Sequence, residues 1–105
     1  MSRAGRAAAA LALLLAAPAA RGETIAVAVE KLAFAPAEIS AHVGDTVVWT
    51  NKDFVVHSAT ARNRAFDVML PAHGSGTTVL KTPGKVEYYC RFHPNMKGVI
   101  NVEAE

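Results

Sequence analysis

Cysteine occurs once in this chain of 105 residues, at Cys90, and the short stretch around it constrains the fold more than any other feature. Within Tyr88-Tyr89-Cys90-Arg91-Phe92-His93-Pro94-Asn95-Met96-Lys97-Gly98, the side chains Cys90, His93 and Met96 recur at every third position. A thiolate, an imidazole and a thioether on one short loop are donors that can share a single metal ion. A second imidazole, His57, lies far upstream in Phe54-Val55-Val56-His57-Ser58. If both imidazoles serve one ion, the fold must bring two distant loops to the same place.

The first residues carry a different signal. Arg3 and Arg6 precede an apolar run from Ala7 to Ala17, and small residues come after Pro18. That is the layout of a secretory signal peptide. The run is shorter than the roughly 20 residues a membrane-spanning helix needs, so no stable membrane insertion is expected. We assign residues 1–22 to the leader, with cleavage after Ala19 or Gly22, and residues 23–105 to one domain. Of the 11 basic residues, Arg3, Arg6 and Arg21 belong to the leader, leaving eight against 9 acidic ones and a net charge near −1. The basicity of the whole chain therefore belongs to the leader, and no Lys/Arg stripe for nucleic acid remains.

An exported domain of this size has a limited core and often relies on disulfides or a metal. One cysteine makes no internal disulfide, so an exported Cys90 needs something to occupy its sulfur. A bound ion would protect the thiolate and stabilise the fold by mass action.

The chain between reads as short strands. Thr24 to Glu30 alternates, with Ile25, Val27 and Val29 on one face. Lys31 to Glu38 is a connection in which Phe34 plugs the core. Ile39 to Val43 and Thr46 to Thr50 alternate on either side of the Gly44-Asp45 turn signal and are expected to form a hairpin. Short strands are expected near Val55 to Ser58 and Phe66 to Met69, with His73 to Gly76 a turn-rich linker. Thr77 to Lys81 reads as a strand from its β-branched content, and Thr82-Pro83-Gly84-Lys85 suits a type II turn. Val86, Tyr88 and Cys90 share one face, which aims the sulfur inward at a strand end. Gly98 is expected to turn the chain into a final strand ending at Val102. Short strands with frequent turns and no useful helical period imply an antiparallel β-sandwich.

Thiolate and thioether select copper(I), and imidazole suits copper in both oxidation states. Zinc takes Cys, His and carboxylate rather than Met. A Cys90–His thiol nucleophile has chemical precedent, yet it leaves Met96 without a role. The donors to test are therefore His57, Cys90, His93 and Met96, with one copper ion as cofactor. His42, on the outward face of its strand, and His73, in a Gly-rich turn, have no ligand-spaced neighbour and read as solvated. Met96 as a core gap-filler and Tyr89 as an ordinary exposed strand residue are the plain alternatives.

These residues resemble the cupredoxins, the type 1 blue copper proteins, in their amicyanin and plastocyanin-like branches. The resemblance runs through Phe34-Ala35-Pro36, Val43-Gly44-Asp45-Thr46-Val47-Val48-Trp49-Thr50-Asn51 and the closing Tyr88 to Val102 stretch. It implies a Greek-key sandwich with one mononuclear type 1 copper near one end. His57, Cys90 and His93 would be the strong ligands and Met96 the weak axial one. One departure stands out: where the family often has Asn after the first ligand, tying the two ligand loops together, this chain has the shorter Ser58.

The resemblance further implies a monomeric electron carrier, periplasmic or secreted, that transforms no substrate and so is not an enzyme. Its partners would be redox proteins docking transiently near His93 and Pro94, on an apolar collar of Phe92 and Pro94 with Met69, Leu70 and Pro71. A copper-trafficking or copper-storage protein is the alternative. Met-rich or His-rich tracts would favour it, and the sequence has none.

Overall fold

A computed structural model describes residues 22–104, which form nine β-strands. The leader assignment, Gly22 apart, lies outside the described residues. Among those described, no helix is long and apolar enough to cross a membrane. One sheet runs β2 (Ala33–Ala35), β1 (Thr24–Glu30), β4 (Thr46–Asn51), β7 (Ser75–Val79). The other runs β3 (Glu38–His42), β9 (Lys97–Glu103), β8 (Gly84–Tyr89), β5 (His57–Ala61), β6 (Asp67–Leu70). The expected sandwich is present, built from two mixed sheets: β1 runs parallel to β4 and β3 parallel to β9, while every other pair is antiparallel.

Alternation in the sequence becomes burial in the structure. Val27 and Val29 of β1, Val47 and Trp49 of β4, Val86 and Tyr88 of β8, and Ile100 and Val102 of β9 all point between the sheets. At the centre the Trp49 indole N–H donates to the Tyr88 hydroxyl at 3.2 Å. The Tyr88 ring meets Phe34 edge-on at 4.7 Å and Trp49 at 5.4 Å between centroids. Burial pushes the Tyr88 phenol up to about 12 despite the indole bond that favours its ionised form.

Three local expectations need correction. The strands flanking Gly44-Asp45 do not form a hairpin: β3 pairs with β9 and β4 with β1 and β7, so the chain changes sheets at this turn. Asp45 is the reason it can. Its buried carboxylate accepts the N–H of His42 at 2.9 Å and those of Glu23 and Gly22 at 3.1 and 3.3 Å, stitching the turn to the start of β1. Next, Ser75 and Gly76 belong to β7 rather than to a linker; a Cβ at Gly76 would strike the Val68 side chain, so glycine here permits close packing. Gly98, likewise, lies within β9 opposite Tyr88, and a Cβ there would overlap the phenol ring. It makes room and does not make a turn.

Gly98→Ala should therefore displace Tyr88 from its indole partner and destabilise the fold by about 1–3 kcal/mol, measured by urea unfolding of the metal-free protein. Asp45 titrates below the usual carboxylate range, chiefly because of the His42 N–H and then those of Glu23 and Gly22, against the opposing effect of burial. Between the two pKa values the unfolded chain binds more protons than the native one. The stability Asp45 contributes is complete above the ordinary carboxylate value and is lost as pH falls through the native one. Thermal melts of wild type and Asp45→Asn should differ most at neutral pH and converge in strong acid.

Candidate metal centre

Two loops meet at one end of the sandwich. His57 opens β5, Cys90 comes directly after the last residue of β8, and His93 and Met96 lie on the connection to β9. That connection is closed by its own backbone: the Cys90 N–H donates to the Met96 carbonyl at 3.1 Å and the Met96 N–H to the His93 carbonyl at 2.9 Å. The three-residue spacing of the donors thus becomes a tight turn. His57 and Cys90 are 0% exposed and Met96 is buried, while His93 is half-buried.

Cys90 Sγ lies 3.7 Å from His57 Nδ1 and 3.8 Å from His93 Nδ1, and the three donor atoms all fall within 4.8 Å of one another. Metal–nitrogen bonds of about 2.0 Å and metal–thiolate bonds of about 2.3 Å put nitrogen and sulfur roughly 3.7 Å apart when the angle is near 120°, and roughly 3.5 Å apart at a tetrahedral angle. The observed separations of 3.7 and 3.8 Å fall within what one shared ion allows. A Cys–His–His donor set on loops that also carry Met96 suits copper, which takes thiolate, thioether and imidazole, better than structural zinc, which does not take Met.

Ser58 ties the loops together. Its N–H points at Cys90 Sγ at 3.4 Å, and its hydroxyl accepts the Arg91 N–H at 2.9 Å while sharing a hydrogen bond with Thr60 Oγ1 at 2.9 Å. The shorter side chain makes the link from β5 to the Cys90 loop. On the far side of His57, Nε2 lies 2.8 Å from an Asp53 carboxylate oxygen. Asp53 is held below the usual carboxylate range, first by His57 and then by the N–H groups of Leu32 and Lys31.

The donor cluster contains neither His42 nor His73. His42 lies 3.5 Å from Glu103, and His73 packs edge-on against Phe54 at 4.6 Å between centroids. Tyr89 is half-buried, with the Arg62 guanidinium 4.5 Å above its ring. In the expected collar, Phe92, Pro94, Met69 and Pro71 are exposed, but Leu70 is fully buried, because β6 turns it into the core opposite His57. Sequence reasoning misses Asp53 and the exposed run Phe54-Val55-Val56, in which Phe54 is 86% exposed. Three consecutive apolar residues in a polar loop are the available signal for the run.

A family model described as a cupredoxin-like domain matches residues 5–102. The chain belongs to the cupredoxin-like family. Solved cupredoxin structures share its architecture. A purple cupredoxin from Nitrosopumilus maritimus is 26% identical over 75% of this chain and 99% of its own, with a TM-score of 0.68. The reduced Cu(I) form, at pH 4, of a proline-to-glycine variant of amicyanin is 28% identical over 83% of this chain and 88% of its own, with a TM-score of 0.68. Another reduced amicyanin variant is 27% identical, covering 76% and 82%, with a TM-score of 0.67. Among curated proteins no sequence matches the chain.

Ser58→Ala removes the acceptor of the Arg91 N–H but leaves the backbone N–H that faces the sulfur. The variant should lose about 1–3 kcal/mol of metal-free stability in urea titrations. Its copper-loaded visible band should remain close to that of the wild type.

Proposed function

We propose that this cupredoxin-like protein is an electron carrier, holding one type 1 copper ion through His57 Nδ1, Cys90 Sγ and His93 Nδ1, with Met96 as a weak axial ligand. The observation that carries the reading is the convergence of two imidazole nitrogens, at 3.7 and 3.8 Å, on one fully buried thiol. The Cu(I) and amicyanin descriptions of its structural relatives support copper as the ion. Copper, when bound, supplies the one-electron couple between Cu(II) and Cu(I).

The chain's own residues do the rest. Burial of Cys90 and His57 excludes water, and the two backbone bonds of the Cys90–Met96 turn fix the donors before an electron arrives. The Ser58 N–H draws charge from the sulfur, a recognised lever on reduction potential. His93 offers the route outward, since it is the donor that is only half-buried. Around it Phe92, Pro94, Met69, Pro71 and the Phe54-Val55-Val56 run present apolar surface suited to brief docking of a redox protein near His93 and Pro94. No substrate is transformed in this reading. The leader of residues 1–22 directs export, so the mature carrier works in the periplasm or outside the cell as a monomer.

Loading with Cu(II) should give an intense visible charge-transfer band, and Cys90→Ala should abolish it. Tight Cu(I) binding without that band would instead mark a trafficking or storage protein. Met96→Leu should leave copper bound and raise the reduction potential in voltammetry, and an unchanged potential would count against axial ligation.

A further inference from the structure

Asp53, on the loop between β4 and β5, joins two features that the sequence keeps apart. One is His57, whose Nε2 lies 2.8 Å from Asp53 Oδ2. The other is the turn between β1 and β2. There Lys31 and Leu32 both adopt left-handed backbone conformations, with φ of 56° and 60°. The paired residues Glu30 and Ala33 close this two-residue turn. Such turns usually use Asn-Gly or similar pairs, because β-carbons disfavour positive φ. Here the Asp53 carboxylate accepts the Lys31 N–H at 2.8 Å and the Leu32 N–H at 3.1 Å, which offsets the strain.

Asp53 is itself fixed. Its N–H donates to the side-chain oxygen of buried Asn51 at 2.9 Å. The Asn51 amide in turn donates to the carbonyls of Val55, Leu70 and Pro71 at 2.9, 3.0 and 3.1 Å. The two imidazoles of the centre are therefore unequal. His57 is sealed and backed by an anchored carboxylate, whereas among the described residues no carboxylate pairs with His93. A histidine whose Nδ1 faces the metal must carry its proton on Nε2, and an acceptor there fixes both tautomer and ring orientation.

We propose that Asp53 is a positioning residue for the metal centre: it holds His57 in the Nε2–H form with Nδ1 free, adds a fixed negative charge behind that ligand, and couples the centre to the β1–β2 turn. The inference rests on reading His57 as a copper ligand. The charge favours Cu(II) over Cu(I), because the more highly charged ion gains more from a nearby anion.

Three variants test it. Asp53→Asn removes the charge and keeps one of the two acceptor oxygens, Asp53→Ala removes the charge and both oxygens, and His57→Ala tests the underlying reading. In the metal-free wild type, nitrogen-15 NMR should find His57 protonated at Nε2. In Asp53→Ala the two tautomers should mix, and the Lys31 and Leu32 amides should exchange faster with solvent. Copper-loaded Asp53→Asn should keep its visible band and shift the Cu(I):Cu(II) preference about tenfold toward Cu(I), a rise of about 59 mV for one electron. An unchanged potential in Asp53→Asn overturns the proposal, as does an unchanged tautomer in Asp53→Ala. If Asp53→Ala does not fold, Asp53→Asn still decides through its potential. Survival of the wild-type band in His57→Ala would instead overturn the ligand reading itself, separately from any role of Asp53.

Discussion

The centre depends on a bridge across a gap. Strands β5 and β8 pair only at Thr60 with Tyr89 and Ala61 with Tyr88, and then diverge toward the ligand end. Without a link beyond that point, His57 and Cys90 would sit on separately moving segments. Ser58 supplies the link, with its N–H on the sulfur and its hydroxyl on the Arg91 N–H. The first contact is buried and the second part-buried, and away from water a hydrogen bond is stronger and its loss more costly. The separations among the three donors come from this bridge as much as from the strands that carry them.

Behind it stands a rigid floor. Trp49, Tyr88, Phe34 and Phe66 fill the space between the sheets, and the indole–phenol bond locks strands from opposite layers to each other. Cys90 continues the strand that carries Tyr88, so its direction is set by a packed aromatic ring two residues earlier. The turn after it closes on its own carbonyls. The site is thus held by strands, bridge and turn together, which is how a constellation of side chains keeps its geometry against thermal motion.

Much of this can be read from the residues alone, and the exceptions share a cause. Alternation in Thr24 to Glu30 and Val86 to Cys90 gives the correct inward faces, because burial on one side of a strand writes a period of two into the chain. The donors on the Cys90 loop are visible because they are local, and His57 because few other imidazoles compete. Whether strands flanking a turn pair or part company is not local: Gly44-Asp45 looks the same in either case, and only the bonds from Asp45 back to Glu23 decide it. Asp53 is hidden in the sequence for the same reason, since its partners Lys31 and Leu32 come from another hairpin. Gly76 and Gly98 look like punctuation because the neighbours that exclude a side chain, Val68 and Tyr88, belong to other strands.

The shortness of β2 has a consequence for how chains meet one another. It forms one border of its sheet, and a border strand offers unpaired amides and carbonyls on which a foreign chain can template itself. Ala33–Ala35 offers only three residues before Pro36, which has no N–H to contribute. The border of the other sheet at β3 carries Glu38 and His42, whose polarity discourages the same event. At these two borders the chain thus discourages strand-by-strand polymerisation.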